Sequence, residues 1–414
     1  MGATSHIFVA LPVLDELDYL PRTLKCIFNQ NYKNFTVYII VNQPDNWWKD
    51  ENKINICLNN EITLKWLYSL NNSKINIIDK SSKGHGWKGK EGGIGYARKT
   101  VMDSIIPNAQ DKDLIVSLDA DTTFGDRYFE AIHNIFQENP MAVGLSVPYY
   151  HNLTNDEIID RAILRYEIYM RYYSLNLWRI NSPYNFTALG SAIVVPVWAY
   201  KSVEGLSPKQ GGEDFYFLQK LRNFGELLNY LPEKVHPAAR LSNRVAFGTG
   251  PALIKGTNNN WNSYPIYNSV FFDEILETYN NLDKLYVKDI QTPLIKFINN
   301  NSKNNVWDLL RKNYPDKEKF VKACHEKINA LRILQYLKYR HNLSENISDE
   351  NKLIDFFKKY FEDECYIFND KLTHFSFENE NIKNLDKMRN FLFIKEEQLQ
   401  KGNLLAKNGI FVNN

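Results

Sequence analysis

The chain has 414 residues, of which 44% are hydrophobic and 14% aromatic, enough to form two domains with sizeable cores. Its 50 basic and 48 acidic residues leave a formal net charge of +2, which argues against a nucleic-acid-binding protein with a basic stripe. The N-terminus lacks a signal-peptide pattern, no stretch approaches the length of a membrane span, and the four cysteines show no CxxC spacing. We therefore expect a cytoplasmic protein.

The first half of the chain alternates strand-like and helix-like segments. In chain order the pattern predicts a strand at residues 7–11 that ends at Pro12, a helix beginning near Leu17, strands at 36–41 and 75–78, a helix at 94–102, a strand at 114–118, a helix at 127–137 and a strand at 142–147. Because helix-length crossovers separate the strands, we predict an α/β fold with a mainly parallel sheet and helices on both faces. Ligands of such sheets bind beyond the carboxyl ends of the strands.

The second half is predicted to be mainly helical. A long helix over residues 155–179 carries Tyr166, Tyr169 and Tyr173 on one face, which we interpret as core rather than as a binding platform. We predict a first domain at residues 1–258, which holds the sheet, and a helical accessory domain at residues 259–414. The lysines and arginines of residues 296–342 favour solvated helix faces, and a face resting on an anionic membrane is the second interpretation.

An Asp-x-Asp triplet, Asp119-Ala120-Asp121, follows the strand predicted at residues 114–118. Carboxylates are ligands of hard divalent cations, and such a cation can neutralise the charge that develops on a departing diphosphate. We expect the two aspartates to reach one such centre because they occupy alternate positions past a strand end. The triplet Asp111-Lys112-Asp113 also fits the pattern, but it precedes the strand and so lies at the wrong end of the sheet.

A second acidic pair, Glu213-Asp214, follows Gly211-Gly212 and opens a predicted helix. An acidic residue at a helix N-terminus is common for structural reasons alone. The functional alternative is a general base that accepts a proton from an attacking hydroxyl. The pair leaves both interpretations open, and the Asp-x-Asp triplet favours the second.

Taken in order, these motifs resemble those of the GT-A glycosyltransferases, most closely glycosyltransferase family two. The resemblance extends from about Ile7 to Pro251 and is carried by Val9-Ala10-Leu11-Pro12-Val13, Gln30-Asn31-Tyr32, Gly92-Gly93 to Arg98, Leu118-Asp119-Ala120-Asp121 and Glu213-Asp214. It implies a Rossmann-like nucleotide-binding sheet and an enzyme that moves a sugar from a nucleotide-diphosphate sugar to an acceptor hydroxyl. The cofactor that it implies is Mn or Mg.

The resemblance also implies roles for single residues. Asp214 becomes the base with Glu213 as its neighbour, and Asp119 and Asp121 become metal ligands, with His236 as a third candidate, although a lone histidine is more often structural. Asn42 and Gln43 stand where many relatives carry an acidic pair, so Asp45 is an alternative nucleotide contact. The residues expected to bind the donor are Pro12, Asn42, Asp45, Arg98, Asp119 and Arg244.

Several alternatives remain open from the sequence. The acceptor is a glycan, a lipid-linked molecule or a small molecule, and peripheral contact with the inner face of a membrane is compatible with the basic segment. We expect an inverting transfer with Asp214 as base, and a retaining GT-A enzyme is the alternative. A nucleotidyltransferase would carry a Gly-rich basic loop after the first strand, where this chain has the acidic segment Pro12-Val13-Leu14-Asp15-Glu16. A non-catalytic nucleotide-sugar-binding protein would not need both acidic motifs.

Overall fold

The computed structural model describes residues 4–209, 211–243, 248–302, 304–345, 347–364 and 375–407. The described residues divide into two compact units: a first unit within Met1–Ile163, Phe186–Asn259 and Gln400–Asn414, and a second unit within Leu164–Asn185 and Asn260–Leu399. The chain changes unit at Asn259, next to the boundary predicted at residue 258. The predicted first domain also contains Leu164–Asn185, which the structure assigns to the second unit instead. The reason is that side chains of this segment bond to that unit, as Tyr172 does to the carbonyl of Tyr267 at 2.5 Å.

The strands that the structure describes all belong to the first unit. They are β1 (Ile7–Val13), β2 (Phe35–Asn42), β3 (Ile75–Lys80), β4 (Leu114–Ser117), β5 (Thr122–Phe124), β6 (Gly144–Ser146), β7 (Ile193–Pro196), β8 (Leu227–Leu228) and β9 (Val235–Pro237). β1 continues past Pro12, where the sequence predicted its end. β4 pairs only with the first four residues of β1, so at Pro12 one side of the strand has no ladder partner and a residue without an N–H is tolerated.

Seven strands form one sheet in the order β3-β2-β1-β4-β7-β6-β8, and β5 pairs antiparallel with β9. β1 to β4 are mutually parallel, whereas β7 is antiparallel to both of its neighbours. The chain adds β2 and β3 on one side of β1 and then β4 on the other side, so the direction of winding reverses between β1 and β4. Right-handed crossovers then place the helices between β1 and β3 on one face and the helix before β4 on the other. The predicted mainly parallel α/β fold is confirmed.

The helices up to residue 259 include those that the sequence predicted, together with others that it did not. They are α1 (Leu20–Phe28), α2 (Ile54–Ser69), α3 (Ile94–Ile105), α4 (Tyr128–Glu138), α5 (Glu157–Arg179), α6 (Val197–Ser202), α7 (Glu213–Phe224) and α8 (Thr249–Gly256). The helices predicted at residues 94–102, 127–137 and 155–179 correspond to α3, α4 and α5.

The predicted C-terminal helical region is also confirmed. It contains α9 (Ser269–Tyr279), α10 (Leu282–Val287), α11 (Pro293–Asn300), α12 (Val306–Asn313), α13 (Lys317–Lys327), α14 (Ala330–Leu343), α15 (Asp349–Tyr360) and α16 (Ile382–Lys407). Polar side chains accept a backbone N–H at the starts of most of these helices, namely Asn268, Thr292, Asn305, Asp316, Asn329 and Ser348. Such caps stabilise helices that are short, as many of these are. No helix in the described part of the chain is long and apolar enough to cross a membrane.

The core of the second unit combines aromatic rings with buried charges. The rings of Tyr166 and Tyr169 contact each other and Tyr264, as expected for a core stripe. Four charged side chains are buried close by: Arg171 pairs with Glu167 at 2.6 Å and with Glu396 at 2.7 Å, and Arg389 pairs with Glu167 at 3.3 Å. We call these four residues the buried ion network.

Candidate functional site

The two aspartates of the Asp-x-Asp triplet lie in a turn at the carboxyl end of β4. The N–H of Thr122 closes the turn by donating to the carbonyl of Asp119 at 3.2 Å. β4 ends at Ser117, so the two aspartates lie past the strand end, and each pairs with a different arginine. Their place is nevertheless the point where the winding of the sheet reverses, which is where ligands of such sheets bind.

Arg98, on α3, is completely buried and forms the centre of the first cluster. Its Nη2 donates to Asp119 Oδ1 at 2.8 Å, and its Nε donates to Glu213 Oε1 at 3.1 Å. Its Nη1 donates to Ser117 Oγ at 2.6 Å and to the carbonyl of Gly190 at 2.8 Å. A single guanidinium therefore joins α3, the end of β4, the segment before β7 and the start of α7.

Burial and charge shift the pKa values of this cluster. Burial lowers the pKa of Arg98, but the carboxylates of Asp119 and Glu213 raise it by more, so the guanidinium stays charged. Burial raises the pKa of Glu213 to about 7, although Arg98 opposes the shift. Burial also raises the pKa of Asp214, again against the effect of Arg98. A carboxylate whose pKa is raised is a stronger proton acceptor, which is the property that a general base needs.

Glu213 and Asp214 occupy different surroundings at the start of α7. The helix begins after Gly212, which adopts a left-handed φ of 71°. Glu213 is buried and committed to Arg98, whereas Asp214 is only partly buried. Asp214 Oδ1 accepts the N–H of Phe215 at 2.7 Å, and no described residue donates to Oδ2. Asp214 therefore keeps one carboxylate oxygen available for a hydroxyl proton.

Arg240 forms the centre of a second cluster. Its Nε and Nη2 donate to Asp121 Oδ2 at 2.9 and 2.7 Å, and Nη2 also donates to Glu16 Oε1. The guanidinium lies over the ring of Tyr19, 4.1 Å from the ring centroid. Glu16 and Tyr19 follow β1, and Asp121 follows β4, so Arg240 bridges the two sides of the reversal point. Burial lowers the pKa of Arg240, but Asp121 and Glu16 raise it by more.

The predicted nucleotide contacts at the end of β2 are engaged in internal hydrogen bonds. Asn42 donates from Nδ2 to the carbonyl of Val13 at 2.9 Å and accepts from Trp87 Nε1 at 3.1 Å. Asp45 Oδ1 accepts the N–H of Gly84 at 2.6 Å. Asn42 and Asp45 thus fix the loop after β3 against the end of β2. The second carboxylate oxygen of Asp45 accepts no hydrogen bond from a described residue.

A cavity of about 300 Å³ lies beside this loop. Its lining residues are Asp79, Lys80, Gly84, His85, Gly86, Trp87, Lys88 and Glu91. Lys80 Nζ lies 5.3 Å from the centroid of the Trp87 ring. A cavity lined by charges of both signs and by one aromatic ring suits a polar ligand better than an apolar one.

The structure brings the residues that were proposed to hold a metal only partly together. Among the residues that the structure describes, no group of three or more His, Cys, Asp or Glu side chains is arranged to hold an ion. His236, on β9, has its Nδ1 2.8 Å from the carbonyl oxygen of Tyr150, a contact of the kind that orients metal-binding histidines. Carboxylates of the type of Asp119 and Asp121 suit Mg²⁺ or Mn²⁺, which commonly take one or two protein carboxylates and complete their shell with substrate phosphate oxygens. The donor set therefore fits a divalent ion that is completed by the substrate.

Arg244 lies outside the described residues, so its predicted role in donor binding stays a prediction. Three residues join the clusters without having been selected from the sequence: Glu16, Ser117 and Gly190. Ser117 carried a signal, because it is a polar residue at the end of an apolar strand. The pairing of Arg240 with Asp121 could not be predicted, because the two residues lie 119 positions apart in the chain.

No protein-family model matches the chain, and no curated protein matches it. Among solved structures, the chain is similar to residues 1–349 of TarS from S. aureus in complex with UDP-GlcNAc, with 10% identity, coverage of 99% of this chain and 93% of that chain, and a TM-score of 0.40. It is also similar to the mannosyltransferase PcManGT from Pyrobaculum calidifontis in complex with GDP-Man and Mn²⁺, with 10% identity, coverage of 98% and 89%, and a TM-score of 0.39. These values are too low to carry a conclusion about this chain, whose fold and site rest on its own residues.

Proposed function

We propose that this chain is a glycosyltransferase that moves a sugar from a nucleotide-diphosphate sugar to an acceptor hydroxyl. The observation that carries the proposal is the convergence of Asp119, Asp121 and Asp214 with two arginines at the reversal point of a mainly parallel sheet. The order of the motifs supports the GT-A class and, within it, family two.

The charge of the site favours a donor that arrives together with a cation. Among the residues that the structure describes, five carboxylates meet two guanidiniums here: Glu16, Asp119, Asp121, Glu213 and Asp214 with Arg98 and Arg240. Carboxylates that approach a bare diphosphate would repel it. Asp119 and Asp121, with His236 as a further candidate, would hold a Mn²⁺ or Mg²⁺ ion, which supplies positive charge opposite the leaving diphosphate. Arg98 orients the carboxylate of Asp119 for this purpose.

Asp214 is the proposed base of an inverting, single-displacement transfer. Its free carboxylate oxygen and raised pKa suit it to accept the proton of the acceptor hydroxyl as that hydroxyl attacks. Glu213 is a positioning residue, because its carboxylate is held by Arg98 and fixes the first turn of α7. A retaining enzyme would instead use Asp214 to orient the acceptor, and the anomeric configuration of the product separates the two mechanisms.

The nucleotide is proposed to bind between the end of β1, at Pro12, and the loop that Asn42 and Asp45 hold in place. Asn42 acts through Trp87 rather than by contact, whereas Asp45 has an oxygen that can reach a base or ribose. The cavity beside Trp87 offers space for polar groups of the donor.

Thermal melts with a panel of nucleotide-diphosphate sugars, with and without Mn²⁺, test the proposal. A donor present at a hundred times its Kd stabilises the folded protein by about 2.7 kcal/mol. Asp121→Ala should abolish this stabilisation. Asp111→Ala is the matched control, because Asp111 belongs to the triplet at the opposite end of β4 and forms an exposed pair with Lys201, so that variant should keep it.

Product analysis then separates the alternatives. Release of the free nucleoside diphosphate with transfer or hydrolysis of the sugar supports the proposal. Release of pyrophosphate would indicate a nucleotidyltransferase, and binding without turnover would indicate a non-catalytic binding protein. A melting temperature that no donor shifts, with or without metal, would contradict donor binding altogether.

A further inference from the structure

We propose that Arg240 is a displaceable counter-ion. It neutralises Asp121 before the donor arrives, and it passes to the donor diphosphate when a divalent cation takes its place on Asp121. The identity of the diphosphate rests on the proposed function, whereas the competition between Arg240 and a cation for Asp121 can be measured without any donor.

The two arginines of the site differ in how firmly they are held. Arg98 is completely buried and donates to a backbone carbonyl as well as to three side chains. The described hydrogen-bond partners of Arg240 are two carboxylates, and its side chain keeps 16% of its accessible surface. Arg240 also lies on residues 238–243, which form neither helix nor strand. In the described structure, the guanidinium of Arg240 can therefore move without losing a hydrogen bond to a backbone carbonyl. Movement of Arg98 would break its bond to the carbonyl of Gly190.

Arg240 contacts Asp121 through a single carboxylate oxygen. Both of its bonds to Asp121 reach this oxygen, Oδ2, and one of the two donor nitrogens also donates to Glu16. A divalent cation that binds Asp121 brings more charge than the guanidinium it displaces, and an arriving diphosphate gives that guanidinium a bidentate acceptor. Asp121 and Arg240 thus each keep an oppositely charged partner through the exchange.

Removal of the guanidinium should make Asp121 more available to metal. We expect Arg240→Gln to raise the Mn²⁺ affinity of the donor-free protein on the order of tenfold, measured from the electron paramagnetic resonance signal of free Mn²⁺. The same variant should lose part of the thermal stabilisation by a donor in saturating Mn²⁺, because the diphosphate loses its cationic partner. Arg161→Gln is the matched control, since it removes the same charge from an exposed pair with Glu157 and should change neither quantity.

Two further variants keep the test decisive. Arg240→Lys retains the charge but cannot form three hydrogen bonds with the same geometry, so it should raise the Mn²⁺ affinity less than Arg240→Gln does. Asp121→Asn combined with Arg240→Gln should remove the gain, which a merely structural role of Arg240 would not predict. A Mn²⁺ affinity that stays unchanged in Arg240→Gln, or in Arg240→Lys if the glutamine variant does not fold, overturns the proposal. Failure of the proposed function would show separately, as a wild-type protein that no donor stabilises.

Discussion

Glu213 and Asp214 show how two adjacent carboxylates acquire different chemistry from their surroundings. The side chain of Glu213 turns inwards to Arg98, and that of Asp214 keeps one oxygen without a described donor. The resemblance implied that Asp214 is the base and Glu213 its neighbour, and the packing at the start of α7 gives a physical reason for the difference. An acidic pair in sequence does not show which carboxylate is held by a buried cation.

Asp214→Asn tests the base directly. The substitution keeps the volume of the side chain but removes the proton acceptor, so kcat should fall by roughly a hundredfold or more while donor binding survives. Burial raises the pKa of Asp214, and a base works only when deprotonated. The rate of the wild-type enzyme should therefore fall on acidification at a pH above the ordinary aspartate value of 3.8.

The pH–rate profile and the donor-induced melting shift are the two measurements for this prediction. Asp111→Asn, at the far end of β4, is the control and should retain both the rate and the profile. An Asp214→Asn variant with wild-type kcat would exclude Asp214 as the base.

At the scale of elements, the sequence predicted the strands and helices whose pattern is local. β1 to β4 and α3 to α5 follow apolar runs or helical periodicity, so their positions could be read from consecutive residues. β7 and β8 were not predicted, because β7 is a four-residue run ending at Pro196 and β8 has only two residues. The partners of Arg98 could not be predicted either, because they lie 19 to 115 residues away and meet only once β4 and α7 are placed.

Gly190 is an element-scale test of the Arg98 cluster. Its carbonyl accepts from Arg98 and Ser117, and a Cβ at this position would overlap the guanidinium of Arg98. Gly190→Ala should therefore displace Arg98 from Asp119, lower the free energy of unfolding by about 1–3 kcal/mol and reduce donor binding. Chemical denaturation and donor titration measure the two effects.

Gly402→Ala is the matched substitution, because a Cβ there meets no neighbour and α16 is helical at that point. It should leave donor binding unchanged and stability equal or slightly higher. Equal behaviour of the two alanine variants would show that the space around Gly190 is not limiting.

At the scale of the whole molecule, the division into units does not follow the chain. Leu164–Asn185 belongs with Asn260–Leu399, although the sequence suggested a single boundary near residue 258. The hydrophobic pattern of the sequence could not reveal this. α5 is one continuous helix, and its pattern does not change at residue 164, where the chain passes from the first unit to the second. The residues against which a segment packs decide the unit to which it belongs, and those residues can lie far away in the sequence.

A truncation after Asn259 should consequently fail to give a stably folded protein. It removes Asp349 and Tyr267, which leaves Arg165 and Tyr172 without their bonding partners. Unpaired buried polar groups and exposed apolar surface are both destabilising, so we expect insoluble protein or a chain without cooperative unfolding. Solubility and thermal circular dichroism measure the outcome. A soluble truncated protein that melts cooperatively and still binds donor would contradict the assignment of Leu164–Asn185 to the second unit.

The buried ion network has a consequence for how this chain can diverge over evolutionary time. Loss of one partner from a buried pair costs about 3–5 kcal/mol, whereas replacement of both partners by apolar residues of similar volume is often neutral. Arg171 and Glu396 are such partners, and they lie 225 residues apart in the chain. Descendants of this sequence should therefore either keep both residues or replace both. The two positions should covary, although they lie at opposite ends of the second unit.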